Sequence, residues 1–180
     1  MAFEGRIREL VAGHPSLEVN TSALLSVRAV LRRQFDDFEK RLRVMARTDT
    51  RTQPLMTTPG VGIIVALTFA CAIDDPPRFK SSKAAGAYLG MTPTRYQSGE
   101  TDYSGRISKN GDSSVRAVLY EAGHLILTRP LKGCTALKSW AMRIAKRAGT
   151  KKAAVALARK LAVIMHRMLA DGTPFTTQPA

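Results

Sequence analysis

The sequence is poor in the residues that build metal centres and covalent staples. It holds 2 cysteines and 3 histidines in 180 residues, with no CxxC pair and no zinc-site spacing. Cys71 and Cys134 stand far apart among alanines and leucines, so both are expected as buried free thiols in a reducing compartment, not as a disulfide. No apolar run approaches the roughly 20 residues of a membrane span. The opening MAFEGRIRELV is charged where a signal peptide would be apolar, so a cytoplasmic protein without a membrane partner is expected. Acidic residues are short too: 14 against 28 basic, a net charge of +14. Such an excess repels itself in a folded chain and is most simply balanced by a polyanion. DNA or RNA is therefore the expected partner, ahead of an anionic membrane surface.

What is present is enough apolar residue, 44 %, to build one domain with a small extension. The fold class expected is all-α, with minimal strand. An amphipathic helix fits residues 3–12, ended by Gly13 and Pro15. A longer helix is expected from the caps Thr21 and Ser22 to about Arg47. Its apolar positions Leu24, Leu31, Phe35, Phe38, Leu42 and Met45 follow an a/d spacing. That stripe reads either as a coiled-coil-like arm or as a helix packed on its own domain. Arg28 weakens its N-terminal end, and Asp36, Asp37 and Glu39 read as solvated charges. The polar stretch 48–53 reads as a linker. Further helices are expected over 63–72, from a Ser81 or Ser82 cap to Leu89 with Gly90 as its stop, and from an Asp112 cap to Leu127. Two more are expected over 135–148 and 151–169, separated by Gly149 with Thr150 as the second cap. Asp74 and Asp75, before Pro76 and Pro77, read as a turn. The stretch 91–111 reads as a loop, or a loop with a short hairpin, long enough to suspect function. The expected division is an arm and linker over 1–53, a helical domain over 54–170 and a flexible, frayed tail over 171–180.

Three stretches have the chemistry to meet a nucleic acid. Pro59-Gly60-Val61-Gly62 runs straight into a helix. There Gly60, Val61 and Gly62 would let the backbone approach a phosphate, drawn to the free N–H groups of the helix start. This is the pattern of a helix-hairpin-helix; a tight turn between packed helices is the plainer reading. The second stretch, RYQSGETDYSGRISKNGDSSVR, sets Ser98 beside Gly99 with Arg95, Arg106, Lys109 and Arg116 close in sequence. An exposed serine can attack a phosphodiester when cations hold the phosphoryl oxygens and a base takes its proton. No histidine lies between His14 and His124 to serve as that base, and the hydrolase pattern GxSxG is absent. In the plainer reading Ser98-Gly99 is only a turn and Ser104, Ser108, Ser113 and Ser114 are caps. The third stretch is the basic end of the chain. Residues 122–170 contain no acidic residue, and Lys146, Arg147, Lys151 and Lys152 crowd around Gly149. Solvated helix faces usually mix both signs, so this corner is expected to contact phosphates, weakening steeply with salt.

Taken together, the PGVG turn, the block RFKSSKAAGAYLGMTP, the Ser-Gly pair and GRISKNGD with the following VR resemble the transposase domain of the insertion-sequence 110 family. The members of that family are bridge-RNA-guided DNA recombinases. The likeness covers about residues 57–124, and the basic helices to Leu169 are similar as well. It implies that Ser98 is the nucleophile that becomes linked to DNA, with Ser108 as the competing position. It implies transposon-end and target DNA, a guide RNA and a homo-oligomer as partners, and a nucleoid-associated location in bacteria. The family also has a RuvC-like domain with four acidic residues that bind magnesium, joined through a helical coiled-coil region similar to the arm. No such domain is read ahead of the arm, so no metal ligands are expected on this chain and Mg2+ only with that domain. The expected function is a DNA-binding transposase domain supplying a serine for strand cleavage and transfer. The alternative is a truncated, non-catalytic module that binds DNA or RNA and oligomerises with or competes against the full-length enzyme.

Overall fold

A computed structural model of the protein describes residues 3–98 and 100–177, without the side chains of Thr101 and Ser104. Among these, eight helices and one two-stranded hairpin follow in the order α1 (Phe3–Val11), α2 (Pro15–Thr48), α3 (Thr52–Leu55), α4 (Ile63–Ile73), α5 (Ser82–Tyr88), β1 (Pro93–Ser98), β2 (Thr101–Ile107), α6 (Ser113–Thr128), α7 (Thr135–Ala148) and α8 (Thr150–Asp171). A short 3-10 turn, Pro76–Arg78, precedes α5. The mostly helical class expected from the sequence is the one observed. The chain forms two compact units, Met1–Val44 and Met45–Ala180.

In the first unit α2 starts earlier than its expected caps. Pro15 occupies the first helical turn, where its fixed φ suits the helix and its missing N–H costs nothing. Glu18 reaches back to accept the Gly13 N–H at 2.8 Å. Thr21, read as a cap, instead donates its hydroxyl to the Leu17 carbonyl inside the helix. Arg28 is ion-paired with Glu4 of α1, its guanidinium 4.8 Å from the Phe3 ring centroid. Leu24, Leu31, Phe35 and Phe38 of the seam are all exposed, Phe35 at 76 %.

The second unit is organised around α8. Its buried face alternates Ala153, Ala154, Ala158 and Ala162 with Leu157, Leu161 and Met165. The alanines let α5, α6 and α7 approach the α8 backbone, while each leucine adds about 1.5–3 kcal/mol by burial. Phe69 and Ile73 of α4, Leu119 and Ile126 of α6 and Leu137 of α7 close the same core. The stretch expected as a linker, 48–53, runs into the start of α3, whose Thr52 and Leu55 are buried.

Three other expectations are corrected here. Cys134 is buried but Cys71 is exposed: α4 turns Ala66, Phe69, Ala70 and Ile73 inward, and Cys71 falls off that stripe. Gly149, not Thr150, is the N-cap of α8, and Ser81 occupies the N-cap of α5 without a side-chain cap bond. In the tail, Phe175 packs on the core and its N–H donates to Thr57 Oγ1 at 2.8 Å. Residues 178–180 of that tail lie outside the described residues.

Candidate nucleic-acid interface

The stretch 91–111 is a hairpin rather than an irregular loop, and its root is clasped to the helical unit. Asp112 caps α6 as expected, accepting from the N–H groups of Ser114 and Val115 at 2.7 and 3.4 Å. Just before it, the backbone of Gly111 presses on the end of α5, where a Cβ would stand 2.3 Å from the Tyr88 carbonyl oxygen. Gly90, at φ +67, turns the chain out of α5 and accepts the Lys109 N–H at 2.9 Å. Lys109 itself is left-handed at φ +59, an unusual state for a lysine. Arg116 donates to the Leu89 carbonyl at 3.4 Å and to the Gly111 carbonyl. Its guanidinium therefore ties α6 to the hairpin root, a positioning role the sequence reading did not foresee.

Beyond the root, β1 and β2 pair antiparallel with Arg95 opposite Ser104, Tyr96 opposite Tyr103, Gln97 opposite Asp102 and Ser98 opposite Thr101. A register shift lies between Pro93 and Arg95, and the Thr94 hydroxyl there donates to the Arg106 carbonyl at 2.8 Å. Successive strand residues point to opposite faces. Ser98 therefore shares a face with Tyr96 and its partner Tyr103, whereas Arg95 and Gln97 lie on the other. Arg95 is ion-paired with Asp102 at 3.4 Å; both are exposed, so the pair contributes at most about 1 kcal/mol and is readily exchanged for a phosphate. Ser98, Arg95, Arg106 and Lys109 are all exposed. Gly99 and the Ser104 side chain lie outside the description.

The PGVG turn joins α3 to α4. Gly60 has φ +80, and a Cβ on it would meet the Ala122 carbonyl at 3.1 Å and Ile126 Cγ1 at 3.2 Å. Val61 is buried, and its N–H donates to the Thr58 carbonyl at 3.0 Å. Of the three residues singled out, only Gly62 is exposed, as the N-cap of α4 with the helix's first N–H groups after it. The first glycine thus serves packing, and the second leaves a helix start open to an anion.

Lys146 and Arg147 end α7, Lys151 and Lys152 begin α8, and all four are exposed. The first two are favoured by the negative end of α7's dipole, but the second two oppose the positive end of α8's. No acidic side chain pairs with any of the four among the described residues. Local stability therefore does not account for Lys151 and Lys152.

No three His, Cys, Asp or Glu side chains converge among the described residues. No helix among them is long and apolar enough to cross a membrane. Sequence reading missed the exposed Tyr96–Tyr103 stack, centroids 5.0 Å apart and planes at 19°; the signal was there, since a tight hairpin about residues 99–100 places 96 opposite 103. It also did not foresee that Lys160 Nζ lies 4.4 Å from the Trp140 ring centroid.

Known proteins resemble this chain over the same elements. A transposase for an insertion sequence element in Coxiella burnetii is 32 % identical over 134 residues, which cover 74 % of this chain and 36 % of that protein. A second, from Yersinia enterocolitica, is 31 % identical over 143 residues, 79 % of this chain and 43 % of its own length. A putative transposase of Sinorhizobium fredii is 29 % identical over 172 residues, 93 % of this chain and 44 % of its own. The chain thus matches less than half the length of each of these relatives. The model of the family described as Transposase IS116/IS110/IS902 matches residues 52–136, from the start of α3 to the start of α7, with the PGVG turn and the whole hairpin inside it. Over those residues the chain matches the IS116/IS110/IS902 family of transposases.

Proposed function

We propose that this chain is the DNA-binding, serine-bearing part of a transposase, with Ser98 as the nucleophile of strand cleavage and transfer. The observation that carries the reading is the position of Ser98: exposed on a hairpin whose root is fixed to the core, inside the stretch that matches the transposase family. Ser98 Oγ would form a bond to phosphorus as the bond from phosphorus to a deoxyribose oxygen breaks. The serine proton passes to a base, and the departing oxygen takes up a proton. Arg106 and Lys109 on the same hairpin and its root would supply positive charge for the phosphoryl oxygens, while Arg95, on the opposite face from Ser98, would meet a neighbouring phosphate of the strand. The base, and the magnesium implied by the family resemblance, belong to carboxylates outside this fold, on a further domain or another chain.

DNA, with a guide RNA as second ligand, is held by the helix start at Gly62, in the manner of a helix-hairpin-helix, and by the corner of Lys146, Arg147, Lys151 and Lys152. The exposed seam of α2 pairs with a second copy as a coiled coil, which suits an enzyme that must hold two duplexes together.

Covalent trapping on DNA that carries the element's ends tests the reading, using the purified chain with its RNA, magnesium and a separately supplied carboxylate domain. A protein–DNA adduct that disappears in Ser98→Ala is expected. Tight binding with no adduct under these conditions would leave a module that holds nucleic acid without cutting it.

A further inference from the structure

We infer that the stacked pair Tyr96–Tyr103 is a platform for an unpaired nucleobase, holding the nucleotide next to the attacked phosphodiester out of its duplex. The inference rests on the preceding reading insofar as the ligand is nucleic acid. Two tyrosines lie ring on ring, at 5.0 Å and 19°, on the outside of the protein. They are 51 % and 57 % exposed and are not part of the hydrophobic core. Core packing therefore does not explain them.

Tyr96 is fixed from beneath. A Cβ added to Gly105 would stand 2.9 Å from the edge of its ring, so the ring lies over a position where only glycine leaves room. With Tyr103 on its other side, the stack ends in Tyr103. Two aromatic rings that are already parallel lose little freedom when a third flat group joins them. A nucleobase is such a group, and aromatic side chains accept any base because each has a π-face.

The charge of the chain favours one occupant. An apolar peptide gains nothing from a hairpin that exposes Arg95, Arg106 and Lys109 in a chain of net charge +14. A nucleic acid strand is drawn to that charge as a whole and offers a base to the rings, even though Arg95 lies on the opposite face from them. Ser98 is two residues along the same strand and on the same face as Tyr96, about 6.5 Å away along the backbone. That is a step comparable to the one between a base and its own phosphate. A base seated on Tyr103 therefore brings a neighbouring phosphodiester toward Ser98, and bases still paired in a duplex cannot take that seat.

The test uses the full chain and a DNA strand with 2-aminopurine at successive positions, presented single-stranded or within a perfect duplex. Stacking on tyrosine quenches the probe. The wild-type protein is expected to quench it at defined positions in the single strand and not in the duplex. Tyr103→Leu is expected to lower single-strand affinity by roughly 5- to 150-fold with duplex affinity unchanged, and Tyr103→Phe to keep both. Absence of quenching by the wild-type protein overturns the inference, whatever the variants do. So does a folded Tyr103→Leu that binds single strands as the wild type does. Quenching without a Ser98 adduct would instead defeat the catalytic reading and leave the platform standing; adducts formed equally well by Tyr103→Leu would do the reverse.

Discussion

The hydroxyl of Ser82 lies 3.1 Å from Nδ1 of His166, and the other ring nitrogen of that histidine lies 3.2 Å from the Pro76 carbonyl. A carbonyl can only accept, so Nε2 donates to Pro76, while Nδ1 and the Ser82 hydroxyl are hydrogen-bonded to each other. The imidazole, buried on α8 beneath the edge of Phe79 at 5.1 Å, thus joins α8 to the start of α5 and to the 3-10 turn before it. His166→Leu fills the space but leaves both partners without their bond. It is expected to lose about 2–4 kcal/mol in urea unfolding. A loss under about 0.5 kcal/mol would show that these bonds do not hold the segment.

The corner at Gly149 separates binding from stability. Lys151→Ala with Lys152→Ala removes two charges that oppose the α8 dipole, so the free protein is expected to melt at a higher temperature, by about 0.3–1 kcal/mol per site. The same protein should bind DNA more weakly, with the slope of log K against log salt reduced by about 2. Weaker binding together with lower stability would point to a structural role for the two lysines.

Gly111 bears on the hairpin root. A methyl group there meets backbone atoms on every near side, 2.3 Å from the Tyr88 oxygen and 2.5 Å from the Leu89 carbonyl carbon, and none is the end of a flexible side chain. Gly111→Ala is expected to lose at least about 2 kcal/mol by chemical denaturation. A variant as stable as the parent would mean that the clasp is looser than described.

The seam of α2 makes its own prediction. Leu31→Gln with Phe35→Gln removes two exposed apolar side chains and leaves the second unit untouched. Sedimentation velocity should show a shift from a self-associated species to monomer, at least tenfold in apparent Kd. A wild-type protein that stays monomeric at high concentration removes the coiled-coil proposal.

Helices were legible wherever a local signal wrote them. Asp112 caps α6 from its own position, and Gly90 and Gly149 end α5 and α7 by taking a backbone state that suits glycine. Contacts made far along the chain were not legible. Ser82 gave up its expected cap role for a histidine 84 residues away, and Arg116 turned from a phosphate ligand into a brace for two carbonyls. Val61 likewise looked available in the PGVG turn but is buried in the core. The hairpin was only half legible, because its strands are short and their alternation is blurred by exposed polar residues on both faces. Ser98 was singled out as a candidate through the family resemblance, and the stack beside it required the strand register.

Phe175 reaches back across the chain to the hydroxyl of Thr57, the residue that opens the approach to the PGVG turn. The last described residues and the first residues of the matched segment are therefore neighbours at one seat. Shortening the protein to the end of α8 would unseat that aromatic ring and uncover the groove lined by Leu137, Ile164 and Met168. An expression boundary chosen by secondary structure alone would thus remove the aromatic ring that packs on this apolar surface, whereas one that keeps Phe175 retains it.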